Sequence, residues 1–188
     1  MSTEREALWR RLGAIVSLVE QSPQGTLGRT AIVKLLYLLQ VVRGVPLGYN
    51  FRLYTYGPFD SDVLNDLETG QSFQALQIKT VAYPGGYGYE VKPGAKAESV
   101  KQCVADWLQS HQSHFEWAIK QFAAQSASAL EIMATIVYIQ RELSEQARPF
   151  SVTDLAKRVR EVKPRFGEQY VLERCSEARN LGLIPSTA

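Results

Sequence analysis

The chain has 188 residues, a formal net charge of +2, 45% hydrophobic and 21% charged residues. That is an ordinary globular composition, long enough for one domain or two small ones with a real core. Two cysteines far apart, Cys103 and Cys175, exclude a disulfide framework and a zinc knuckle.

The charge is unevenly spread. Residues 1–43 hold six Lys/Arg against three Glu, residues 44–147 seven against eleven acids, and residues 148–188 eight against five. A weak overall balance does not indicate nucleic acid, but a local basic face can still bind phosphates. The first residues, MSTEREALWRR, are charged and lack an apolar signal core, and no stretch reads as a transmembrane segment. The expectation is a soluble cytoplasmic protein with reduced thiols and no membrane partner.

Residues 4–20 predict a first helix. Leu8, Leu12, Ile15, Val16 and Val19 recur at three- and four-residue spacing. Ser2 or Thr3 is the expected cap, with Glu6 placed for a capping box. A loop over Gln21 to Gly28 leads to the anchor of the chain, Thr30 to Leu67. This anchor opens with an apolar run, Ala31 to Val42, broken only by Lys34 and Gln40. Such a run without Gly or Pro predicts a helix buried on most faces and stopped at Gly44. Tyr49, Phe51 and Leu53 alternate with Asn50, Arg52 and Tyr54, predicting a short strand. Gly57-Pro58 predicts a turn, and Asp60 or Ser61 the cap of a helix through Leu67.

The anchor carries one resemblance. Lys34, Leu35, Leu36, Tyr37 and Leu38, followed by Tyr56, Gly57, Pro58 and Phe59, resemble the pattern of the bacterial YwgA-like family of uncharacterised proteins. The pattern is more distantly similar to the Panacea-domain antitoxins, which share a K-L-x-Y-x core helix followed by a Y-G-P turn. The resemblance implies a winged-helix-like regulatory or binding protein, and it transfers no catalytic residues.

Past the anchor, Glu68-Thr69-Gly70 predicts a break. Residues 73–83 alternate, Pro84-Gly85-Gly86 predicts a turn, and Tyr87, Tyr89 and Val91 predict a returning strand. A hairpin after a helical unit is the arrangement of a wing. Residues 96–123 read as one long helix carrying His111 and His114. Only Glu116 stands near them at ligand spacing, and it faces elsewhere, so they read as packing or solvated histidines. The small-residue run Ala123 to Ala129 divides two lobes. The second lobe holds a helix over Leu130 to Leu143, then a helix from Ser151 capped with Asp154, and a last helix over Gly167 to Leu181 burying Tyr170, Val171, Leu172, Cys175 and Ala178. Lys157, Arg158, Arg160, Lys163 and Arg165 cluster at the turn between the last two helices.

The expected fold is therefore mainly α with a small β-hairpin, built of two winged-helix or helix-turn-helix-like lobes. Residues 1–94 form the first lobe with its hairpin, 95–125 a long connecting helix, and 126–188 a C-terminal helix-turn-helix-like lobe. No catalytic constellation is recognised. GGYG at Gly85 to Gly88 lacks the helix and Lys of a phosphate loop, and no nucleophile elbow occurs. On one helix, Cys103 and either His would stand ~12–16 Å apart. Asp60, Asp62, Asp66 and Glu68 read as a helix N-terminus followed by a solvated face rather than a metal cluster. The expectation is thus a non-enzymatic, antitoxin-like or defence-associated regulator, with no cofactor and no metal. Its partner is a protein, such as a toxin or defence effector, gripped by Tyr87 and Tyr89. The alternative is a DNA-binding winged-helix regulator that uses the five basic residues. A metal-dependent enzyme is the third reading.

Overall fold

The computed structural model describes residues 3–83, 86–145 and 150–185. Among these the protein is mainly helical, with nine helices and a small antiparallel sheet. The chain forms two compact units. The first comprises Met1–Phe51 and Phe59–Ala127; the second comprises Arg52–Pro58 and Ser128–Ala188.

In the first unit, α1 (Thr3–Gln21) and α2 (Arg29–Arg43) provide most of the core. Leu12, Ile15, Leu18 and Val19 of α1 are fully buried, as their spacing requires. In α2 every residue from Ile32 to Leu39 is buried, Lys34 included at 2% exposure. The helix ends at Gly44, whose N–H reaches the Leu39 carbonyl. Ser2 and the Thr3 side chain, the expected caps of α1, lie outside the described residues.

Residues 44–51 are irregular, so the strand expected from Tyr49 onward begins only at Arg52. Tyr49 is instead drawn inward. Its hydroxyl donates to Asp66 Oδ2 at 2.7 Å, and Gln40 brackets its backbone N–H and carbonyl at 2.9 and 2.8 Å. Buried polar groups with satisfied partners outweigh the alternation that predicted a strand.

Helix α3 (Ser61–Ser72) is capped by Asp60, which accepts from the Asp62 N–H at 3.0 Å. It runs through Gly70 rather than breaking there. A Cβ on Gly70 would stand 2.7 Å from Leu76 Cδ1 and 3.3 Å from Leu12 Cδ2, so this glycine admits close packing instead of ending the helix. Asp66 is not solvated as expected. It is 3% exposed, and Arg11 Nε donates to its Oδ2 at 2.7 Å.

The sheet has the order β1-β5-β4, with β1 (Leu27–Gly28), β4 (Leu76–Tyr83) and β5 (Gly86–Pro93) antiparallel. The hairpin was legible from alternation; Pro84 and Gly85 of its expected turn lie outside the described residues. The single helix expected over 96–123 is three: α4 (Ala97–Gln102), α5 (Ala105–Ser110) and α6 (Gln112–Phe122). At the second junction the Ser110 hydroxyl and the His111 ring both turn back to the Trp107 carbonyl, at 2.8 Å each. These polar side chains satisfy the helix end that a continuing backbone would otherwise use.

In the second unit, α7 (Ala127–Glu145) is followed by α8 (Val152–Val162) and α9 (Glu168–Asn180), which pack together. The capping box of Ser151 and Asp154 is present: the Asp154 N–H donates to Ser151 Oγ, and the Ser151 N–H to Asp154 Oδ2. The Ser151 hydroxyl, then its N–H, both donating to Asp154 Oδ2, hold the Asp154 carboxyl below its usual range. Leu183 and Ile184 pack back after α9 and are buried. Tyr170 is not buried as expected. It is 36% exposed and stacks on Phe166 at 5.7 Å.

The short hairpin of β2 (Arg52–Tyr54) and β3 (Gly57–Phe59) turns at Thr55-Tyr56, not at Gly57-Pro58. Gly57 has φ +85°, and a Cβ there would stand 2.9 Å from Thr135 Oγ1. Both the left-handed backbone and the close approach require glycine.

Candidate interaction surface

The two expected sites lie in different units. The hairpin tyrosines belong to the first. Its register pairs Ile78 with Val91, Thr80 with Tyr89, and Ala82 with Tyr87. Side chains two apart along a strand share a face, so Tyr87 and Tyr89 continue the face that carries Val91. Val91 is fully buried, Tyr89 is 42% exposed and Tyr87 81%. The core-facing side of the sheet therefore runs outward as aromatic surface.

Tyr83, 53% exposed, lies on the other face of the hairpin, its ring over Gly88. The Arg29 guanidinium sits 3.4 Å from the centroid of the Tyr89 ring. Such a stack fixes the ring and keeps a cation beside it. Tyr83, Tyr87, Tyr89, Arg29, Thr26 and Gln125 help line an open groove of about 510 Å³. Tyrosine and arginine are the residue types that concentrate binding energy at protein interfaces.

The basic residues of the second unit are largely engaged. Lys163, expected exposed, is 3% exposed and stands 2.9 Å from Glu131 Oε1, itself 4% exposed. Its Nζ also donates to the carbonyls of Thr55 and Tyr54. Arg165 shares the same carboxylate through Oε2 and lies over the Tyr56 ring at 5.9 Å. Arg158 pairs with Glu161 at 2.7 Å and Arg160 with Glu168 at 2.9 Å. Lys157 is exposed and helps depress Asp154.

The remaining candidates have structural surroundings. His111 and His114 have ring centroids 6.0 Å apart, and Arg43 Nε donates to His114 Nδ1 at 3.2 Å. Burial, then the Arg43 charge, hold the His114 pKa below its usual value. Among the described residues no cluster of three or more His, Cys, Asp or Glu could hold a metal ion. Cys103 is exposed; Cys175 is buried, and burial pushes its thiol up to about 12. No described helix is long and apolar enough to cross a membrane.

Arg29 and Glu131 were not singled out from the sequence. Arg29 opens α2 without an acidic residue in its first turn, a signal of an available cation. Glu131, buried in an apolar helix, signals a buried cation elsewhere in its unit, because an ionised carboxylate is rarely buried unpaired. No family model matches the chain, and no curated protein matches it.

Proposed function

We propose that the chain is a non-enzymatic regulatory binding protein, antitoxin-like or defence-associated, that acts on a protein partner through its tyrosine hairpin. The observation that carries this reading is the outward continuation of the sheet's core face as Tyr89 and Tyr87, with Arg29 stacked against it. An exposed aromatic face rimmed by a cation matches the anchors of a protein interface. The anchor pattern of Lys34 to Leu38 and Tyr56 to Phe59 supports kinship with the YwgA-like proteins, and its more distant similarity to the Panacea-domain antitoxins supports the antitoxin-like reading.

We read the two units as winged-helix-like and helix-turn-helix-like lobes. The β4–β5 hairpin after three helices supports the first, and the capped α8 joined by a short basic turn to α9 supports the second. A cytoplasmic location draws support from the two free cysteines. DNA binding draws less support than the sequence suggested, since Lys163 is buried on Glu131 and three of the arginines have carboxylate partners.

The test is purification of the protein from its own host, with Tyr87→Ala and Tyr89→Ala combined in a second preparation. A stoichiometric protein partner lost from the variant supports the reading. A partner retained by the variant, or nucleic acid in its place, contradicts it.

A further inference from the structure

Among the described residues, Arg29 is the one charged side chain that lines the groove beside Tyr89. Arg29 is the first residue of α2, and it has no ion pair with a carboxylate among the described residues. The end of the helix adds to that charge without answering it. The cap Gly28 has no side chain to accept from the first-turn N–H groups, and no acidic residue occurs in that turn. Elsewhere in the same unit the fold neutralises its partly buried cations. Arg11 is held by Asp66, and Lys101 by Glu20 and Glu98. The groove is thus a place where the first unit leaves positive charge unanswered, beside an aromatic wall.

The stack on Tyr89 matters for what can bind. It holds the guanidinium in place above the ring, so little side-chain freedom is lost when a ligand arrives. A fixed guanidinium fits a carboxylate with two parallel N–H bonds. Tyr87, 81% exposed and on the same strand face as Tyr89, supplies apolar area beside the stack. Electrostatic complementarity of this kind selects partners and speeds encounter.

We propose that this groove takes an acidic segment of the protein partner, with an Asp or Glu carboxylate on Arg29 and a neighbouring apolar side chain against Tyr87. The inference rests on the protein-partner reading and names the chemistry of the partner's docking segment. Tyr89 acts as the positioning residue for Arg29, and Tyr87 as the apolar contact.

The probe is a library of randomised ten-residue peptides displayed on phage and selected on the full chain. The expected result is enrichment of sequences sharing an Asp or Glu next to an apolar residue. Synthetic versions of these peptides should bind about tenfold or more weakly to Arg29→Ala and to Tyr87→Ala. Arg29→Lys, which keeps the charge but loses the fork, should fall between. Arg29 is at the solvent-facing start of a helix, and circular dichroism of each variant checks that the fold is retained. Enriched peptides without an acidic residue, or acidic peptides indifferent to Arg29→Ala, overturn the inference, as does a selection that enriches nothing. The protein-partner reading is judged separately by the native partner. If that partner is lost with Tyr87→Ala and Tyr89→Ala but retained by Arg29→Glu, the reading stands and the acidic segment falls.

Discussion

Lys163 and Glu131 form a buried ion pair, 2.9 Å between Nζ and Oε1, with the two side chains 3% and 4% exposed. Lys163 also donates to the Thr55 carbonyl, so the pair clamps the 52–58 hairpin within the second unit. Removing Glu131 leaves Lys163 buried with only backbone carbonyls, and removing Lys163 leaves the buried Glu131 with only the half-exposed Arg165. Lys163→Met or Glu131→Gln should each cost about 3–5 kcal/mol of stability. The double substitution should lose less than the sum of the two singles, because it leaves neither charge alone. Urea melts of the three variants check this; additive losses would show that the two side chains act independently.

Gly57 makes a second test of the same clamp. Alanine there must adopt φ near +85° and place a Cβ 2.9 Å from Thr135 Oγ1. Gly57→Ala should destabilise by about 1–3 kcal/mol from the backbone alone. Adding Thr135→Ala should relieve the contact but not the backbone strain, giving partial recovery in thermal melts. Full recovery would place the whole cost in the contact.

The core helix of the first unit is tested by Leu36→Ala. Leu36 is fully buried, and deleting such a side chain costs about 2–5 kcal/mol. A denaturant melt showing less than about half a kcal/mol would contradict the burial of α2.

How much of this architecture the sequence discloses depends on whether local pattern or distant partners decide a residue's place. The apolar run of α2, the capping box of Ser151 and Asp154 and the alternation of the β4–β5 hairpin are local, and all three were legible. The buried charges were not. Asp66 sits on a helix that reads as solvated, and its burial is explained only by Arg11, 55 positions away, and the Tyr49 hydroxyl. Lys163 reads as one of a basic cluster until Glu131 and the Thr55 carbonyl are seen beside it. For the candidate surface, the exposed tyrosines could be named from their strand. Arg29 could not be joined to them, because the two-residue β1 strand that carries the chain past Glu90 gives almost no sequence signal.

Tyr49 should give the first unit a stability loss in alkali. Burial, then Asp66, raise its hydroxyl well above the usual value of 10.0. In the unfolded chain it ionises near pH 10, whereas in the fold it stays protonated to higher pH. The stabilising share is therefore complete below pH 10 and declines as pH rises above it. Tyr49→Phe should flatten this part of the stability profile between pH 9 and about 11. Spectrophotometric titration should show tyrosine that ionises only as the protein unfolds, with one such residue fewer in the Phe variant. An unchanged alkaline profile would remove Tyr49 as the cause.

The two thiols should separate by reactivity. Cys103 is exposed, while Cys175 is buried with its thiol pushed up to about 12. The thiolate is the reactive species, so at pH 8 an alkylating reagent should modify Cys103 and spare Cys175 until the protein is denatured. Peptide mass spectrometry reads the site directly. Modification of Cys175 in the native protein would contradict its burial.

The central claim is that the tyrosine hairpin binds a protein and that the α8–α9 turn does not bind DNA. The direct measurement is a pair of binding titrations, on the copurifying protein and on duplex DNA, across about 50–200 mM salt. Each is made with the natural chain, with Tyr87→Ala and Tyr89→Ala together, and with Lys157→Glu and Arg158→Glu together, two exposed residues of the basic cluster. The account predicts a protein complex weakened by about 2 kcal/mol or more in the tyrosine variant and little changed by the charge reversals. It is contradicted by DNA binding whose logarithmic salt slope lies near −3 to −5, the value for roughly three to five phosphate contacts, if that binding disappears with the charge reversals and survives loss of the tyrosines.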